Sequence, residues 1–149
     1  MITKFGKQKL EEKLVLLKEE LLLTYEKRSE AAAEGDLKEN SAYIFYGERS
    51  HVLNAQIEEV KTDLKLSVVT SAPSQSETIV FGSKVTIRFE SDQRVETFVL
   101  VGKNDARLFP DWISCESPLG IALLNHKKND LVEVNGQMVL IQDISIGNI

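Results

Sequence analysis

The sequence predicts an α+β protein: an N-terminal antiparallel two-helix coiled coil followed by a small β-rich domain. Three observations carry this. Leucines in the first half recur at alternating spacings of four and three residues, the seam of a coiled coil. No proline occurs before Pro73. From Ile79 onward the apolar period changes to two, with Val85, Ile87 and Phe89 alternating with Lys84, Thr86 and Arg88.

The first seam runs Leu10, Leu14, Leu17, Leu21, Thr24, Arg28 and Ala31. The second runs Tyr43, Tyr46, Ser50, Leu53, Ile57, Val60 and Leu64. Helices are expected over residues 7–34 and 37–65. Each of about 28 residues spans roughly 42 Å at about 1.5 Å per residue. So short a break between them makes the helices antiparallel neighbours. Gly35 is the expected helix terminator, in a left-handed conformation. Asp36 is the expected N-cap of the second helix, with Glu39 completing a capping box. The seam weakens toward this turn, where Thr24, Arg28 and Ser50 stand in place of leucines.

Residues 67–77, rich in Ser and Thr, read as a linker. The domains are therefore expected at 1–66 and 78–149. Further strands are expected at 96–101, 130–134 and 137–144, the last two joined by the hairpin signal Asn135-Gly136. A short helix is expected over 118–124.

Composition excludes several classes. With 42% hydrophobic and 28% charged residues among 149, the chain has the balance of a soluble folded protein. No run approaches the roughly 18 apolar residues of a membrane helix, and no signal peptide is visible. Cys115 is the only cysteine, so an intrachain disulfide is impossible; a cytoplasmic location is expected. A net charge of −5 argues against a general duplex-DNA binder. His51 and His126 have no ligand companions in the sequence and read as surface or packing residues. Trp112 reads as core.

The residues with chemical potential lie at the turn. Asp36 and Glu39, with Glu34 nearby, are hard oxygen donors of the kind that suits Mg2+, which keeps several waters and needs few protein carboxylates. They are too few for a closed site but sufficient to complete one supplied by a partner, where a second metal ion supports phosphodiester hydrolysis. Capping alone also explains them, since such residues stabilise helix starts by roughly 0.5–2 kcal/mol. Spacing does not decide between the two.

The stretch Gly35-Asp36-Leu37-Lys38-Glu39-Asn40-Ser41-Ala42-Tyr43 closely resembles the tip motif of the Gre transcript-cleavage factors, GreA and GreB. Ser114-Cys115-Glu116-Ser117-Pro118-Leu119-Gly120-Ile121 and the residues after it resemble that family's C-terminal signature, and Phe81-Gly82-Ser83-Lys84-Val85 its entry into the C-terminal domain. The likeness covers essentially the whole chain. It implies a coiled coil that enters the secondary channel of bacterial RNA polymerase and an FKBP-like C-terminal domain that docks at the channel rim. It further implies stimulated cleavage of backtracked RNA 3′ ends, a reaction catalysed by the polymerase, so the chain itself is expected not to be an enzyme. Carried over by residue, Asp36 and Glu39 help hold a second Mg2+ in the polymerase active centre, with no cofactor bound tightly by the chain alone. Asn40 and Tyr43 contact RNA or shape the tip, and Ser117 and Pro118 dock on the polymerase. Nascent RNA and template DNA are reached only through the polymerase, and a monomer is expected.

The sequence departs from the family pattern at Gly47, where a basic side chain is typical, and at Ala42, where an acid is common. These departures keep open a Gre-like secondary-channel binder that inhibits or modulates transcription without stimulating cleavage. A stand-alone prolyl isomerase is a third class, but the second half offers only Phe81, Phe89, Phe98, Phe109 and Trp112 to line a pocket.

Overall fold

The apolar seams and the period-two strands set the architecture of a computed structural model that describes residues 1–35 and 40–149. Two helices, α1 (Lys4–Ala33) and α2 (Ser41–Leu66), precede strands β1 (Ser83–Phe89), β2 (Val95–Val101) and β3 (Trp112–Ser114). Helix α3 (Pro118–Leu123) and strands β4 (Leu131–Val134) and β5 (Gln137–Ile146) complete the order. The expected α+β class is what the chain adopts. Among the described residues no helix is long and apolar enough to cross a membrane.

The chain divides into two units, one of residues 8–67 and one of residues 1–7 with 68–149. In the helical unit Leu17, Leu53, Ile57 and Val60 form a buried cluster, flanked by Leu10, Leu14, Leu21 and Leu64. Every member belongs to the two predicted seams. Cross-helix bonds run Glu20 to Arg49, Arg28 to Tyr43 and Ala31 to Asn40. Numbers rise along α1 as they fall along α2, so the pair is antiparallel.

In the other unit the sheet order is β3-β2-β1-β5-β4. All neighbours are antiparallel except β2 and β3, which run parallel. Strand alternation buries one face along the sheet, and at the end of β2 the opposite face as well. Val85, Ile87, Leu100, Val139 and Ile141 pack with Leu123 of α3 in one cluster. Val99 and Val101, on the opposite face of β2, join Phe81 and Trp112 in another. Trp112 is thus core, as expected, while His51 and His126 are exposed.

Three local expectations need correction. Residues 1–7, assigned by sequence to the coiled coil, belong to the second unit, because Ile2 bridges Val69 and its N–H donates to the Val68 carbonyl at 3.0 Å. Gly35 does not take a left-handed φ. Instead the Glu34 N–H closes a tight last turn on the Ala31 carbonyl at 3.2 Å, leaving no need for the left-handed terminator. Helix α2 starts at Ser41 rather than Leu37.

Candidate functional sites

The sequence motifs fall on two separate features, one in each unit. The first is the connection between α1 and α2. Asp36 and Glu39 lie outside the described residues. Asn40 is the N-cap of α2, with extended backbone (φ −81, ψ 95). Its side-chain oxygen accepts the Tyr43 N–H at 3.1 Å, and its side-chain nitrogen donates to the Ala31 carbonyl at 2.6 Å. One amide therefore satisfies an orphan donor at the start of α2 and adds a second donor to the Ala31 carbonyl at the end of α1, which also accepts the Glu34 N–H.

Tyr43 sits in the first turn of α2, half-buried. Its hydroxyl accepts a hydrogen bond from Arg28 Nη2 at 3.1 Å, and the Arg28 guanidinium carbon lies 4.5 Å from the ring centroid. Gly47 lies one turn further along α2 and is buried. A Cβ placed there would stand 3.4 Å from Arg28 Nε and Nη2, so glycine leaves the room the guanidinium fills. On the outer surface Ile44 and Phe45 are exposed, and Phe45 meets Tyr46 edge-on at 5.2 Å between centroids.

The second feature is the start of α3. Ser117 is its N-cap. The Ser117 hydroxyl accepts the Gly120 N–H at 3.0 Å and donates to the Ser114 carbonyl at 2.7 Å. Pro118 follows at the first helical position, where a missing N–H costs nothing. Pro118 is exposed, and Ile121, one turn on, is 63% exposed. Cys115 is half-buried, and burial pushes its thiol above the ordinary value, as suits an inert side chain.

Among the described residues no group of three or more His, Cys, Asp or Glu is placed to hold a metal ion. Asp36 and Glu39, the pair expected from sequence to serve Mg2+, lie outside the described residues.

Comparisons with known proteins show the family. Residues 74–146 match the family described as transcription elongation factor, GreA/GreB, C-terminal, and residues 1–69 match the N-terminal domain of transcription elongation factors of that kind. The chain belongs to the GreA/GreB transcription elongation factor family. This Gre-family chain is 33% identical to the transcription elongation factor GreA of Pelobacter propionicus over 135 residues, covering 89% of this chain and 85% of the relative. It is 34% identical to that of Maridesulfovibrio salexigens, covering 90% and 84%. Among solved structures it is similar to the GreA factor homolog 1 of Thermus thermophilus, at 22% identity, 97% of each chain and a TM-score of 0.45.

Sequence reasoning singled out Asn40 and Tyr43, and the structure brings both together at the start of α2 in this Gre-family fold. It overlooked Arg28 as more than a weak seam position. The signal was a lone arginine in a leucine seam together with a glycine in the facing helix.

Proposed function

We propose that this Gre-family factor binds bacterial RNA polymerase, inserts its helix pair into the secondary channel, and stimulates the polymerase's own cleavage of backtracked RNA 3′ ends. Asp36 and Glu39 are the carboxylates it contributes, shared with the polymerase through a second Mg2+. Such a role belongs in the cytoplasm.

One observation carries this reading beyond family membership. The N-cap of α2 is Asn40, not Asp36. Capping was the rival explanation for an Asp and a Glu in this connection, and Asn40 already performs it. The cap of α2 therefore does not call for Asp36 or Glu39, which lie outside the described residues.

The work divides among the residues accordingly. The seam of Leu17, Leu53, Ile57 and Val60 holds two long helices together, so that the connection can be presented to a partner's active centre. When bound, the Mg2+ would supply a Lewis acid and an activated water for attack on the phosphodiester. The carboxylates of Asp36 and Glu39 would add negative charge and oxygen donors to a centre that the polymerase otherwise builds. Ser117 and Pro118 would present the start of α3 to the channel rim.

The test is a stalled, backtracked polymerase complex given the protein with Mg2+, following release of RNA 3′ fragments. The natural sequence is expected to release them. Asp36→Asn is expected to lose roughly 10–100-fold, the range seen when groups supporting a metal are disturbed, while polymerase binding survives. If the natural protein only slows RNA synthesis, the reading of a channel binder that modulates without cleaving replaces this one.

A further inference from the structure

Arg28 is out of place by the logic of its own seam. Leu10, Leu14, Leu17 and Leu21 occupy the equivalent positions earlier in α1, and a leucine at 28 would continue the packing. The arginine instead brings a charge to a half-buried position, and among the described residues its Nε is buried with no hydrogen-bond partner. Leaving a buried donor unpaired is unfavourable. Gly47 of α2 faces the guanidinium, with no side chain of its own against it. A charged, partly unpaired side chain in an apolar seam calls for a function.

The hydrogen bonds show what is gained. Arg28 Nη2 donates to the Tyr43 hydroxyl, the Tyr43 N–H donates to the Asn40 side-chain oxygen, and the Asn40 side-chain nitrogen donates to the Ala31 carbonyl. Arg28 and Ala31 lie one turn apart on α1. The three bonds therefore form a closed circuit from α1 to α2 and back, and residues 34–40 join its two sides. We propose that Arg28 is a positioning residue for the motif at the start of α2: it fixes Tyr43, and through Tyr43 the Asn40 cap that ties α2 to the end of α1. Gly47 faces the same guanidinium, and a Cβ there would touch Nε and Nη2 at an ordinary contact distance of 3.4 Å. The inference rests on the cleavage function proposed above.

Three measurements test it together. Thermal melting of Arg28→Leu should give a midpoint equal to or above that of the natural protein, because an unpaired donor is exchanged for seam packing. In the backtracked-complex assay, Arg28→Leu should need about tenfold more Mg2+ for half-maximal cleavage. Tyr43→Phe should move the Mg2+ requirement the same way, and Arg28→Leu with Tyr43→Phe should be no worse than Arg28→Leu alone, because both act through one path. Without polymerase, amide exchange at Tyr43, whose N–H rests on Asn40, should quicken in Arg28→Leu. An unchanged Mg2+ requirement in Arg28→Leu overturns the inference and leaves the cleavage reading standing. A cleavage loss that merely tracks a lowered melting point overturns it too, by making Arg28 an ordinary packing residue. Unchanged exchange at Tyr43 overturns it whatever the polymerase does. Absence of cleavage by the natural protein sinks the functional reading instead, and the exchange result then stands on its own.

Discussion

The Thr3 hydroxyl donates to the buried carboxylate of Asp105 at 2.6 Å, across most of the length of the chain. The same carboxylate accepts the backbone N–H of Thr3 at 3.0 Å and that of Gly102 at 3.2 Å. Thr3 in turn caps α1, its hydroxyl oxygen accepting the Gly6 N–H at 2.8 Å. Asp105 is fully buried, so its removal strands donors that water cannot reach. Asp105→Ala should cost at least about 3 kcal/mol, at one or more for each of the three stranded donors. Asp105→Asn, which keeps one acceptor oxygen, should cost less. Urea unfolding of both variants measures the difference; a cost near zero for Asp105→Ala would show that the N-terminal residues are held by Ile2 and its bridge to Val69 alone.

At the start of α3, capping and docking can be separated. Ser117→Ala removes the cap and should cost about 1 kcal/mol of stability. Ile121→Ser changes an exposed side chain on the same short helix and should leave stability within about 0.5 kcal/mol. If this surface docks on the polymerase, Ile121→Ser should weaken binding in a polymerase pull-down although its melting curve is unchanged. Equal binding by Ile121→Ser and the natural protein would remove α3 from the docking surface.

Much of this fold is legible from periodicity because periodicity reports burial directly. Leu17, Leu53, Ile57 and Val60 fall on the predicted seams, and Val85, Ile87 and Phe89 on the predicted inner face of β1. Asn135 and Gly136 both take positive φ, 50° and 79°, as the hairpin signal requires. What was not legible depended on partners distant in sequence. Strand β3 has three residues, too few to show alternation, and exists because it pairs in parallel with β2. The first residues join the second unit because Ile2 finds Val69. The cap of α2 was misplaced because two local patterns overlap, Asp36 with Glu39 and Asn40 with Tyr43. The second is the cap formed, and it includes the bond from Asn40 to Ala31 on the other helix, which no local rule contains. The fit of Arg28 into the space left by Gly47 is likewise a property of two facing helices.

Acid should loosen the turn that leads into β4. The Asp130 carboxylate accepts the Lys127 N–H at 2.8 Å, and His126 Nδ1 lies 3.3 Å away. The Lys127 N–H, aided by the hydrogen bond and charge of His126, holds Asp130 below the ordinary value of 3.8. A carboxylate whose folded value is lowered contributes stability in full above its unfolded value and loses it as pH falls through the folded one. Asp130→Asn should therefore melt lower than the natural protein at neutral pH, and the gap should close below 3.8. An NMR titration of the Asp130 carboxyl gives the direct check. A midpoint at or above the ordinary aspartate value would contradict the turn geometry.

Gly120 tests the packing beneath α3. A Cβ at this position would overlap the Ser114 carbonyl oxygen and come within 3.0 Å of the Cys115 Cα, so a methyl group must push the segment before the helix away. The displaced carbonyl is the one that accepts the Ser117 hydroxyl, and the Cys115 N–H beside it donates to Val101 of β2 at 2.9 Å. Gly120→Ala should thus destabilise by about 1–3 kcal/mol, the usual cost of overpacking. It should also expose the neighbouring thiol. In the natural protein Cys115 is half-buried with its thiol pushed above the ordinary value of 9.0 by burial, so it should react slowly with iodoacetamide. Faster alkylation in Gly120→Ala under conditions where the protein remains folded would locate the disturbance at residues 114–117. A lowered melting point with an unchanged alkylation rate would mean that the strain escapes elsewhere and that the Ser114 to Ser117 turn holds its place without the glycine.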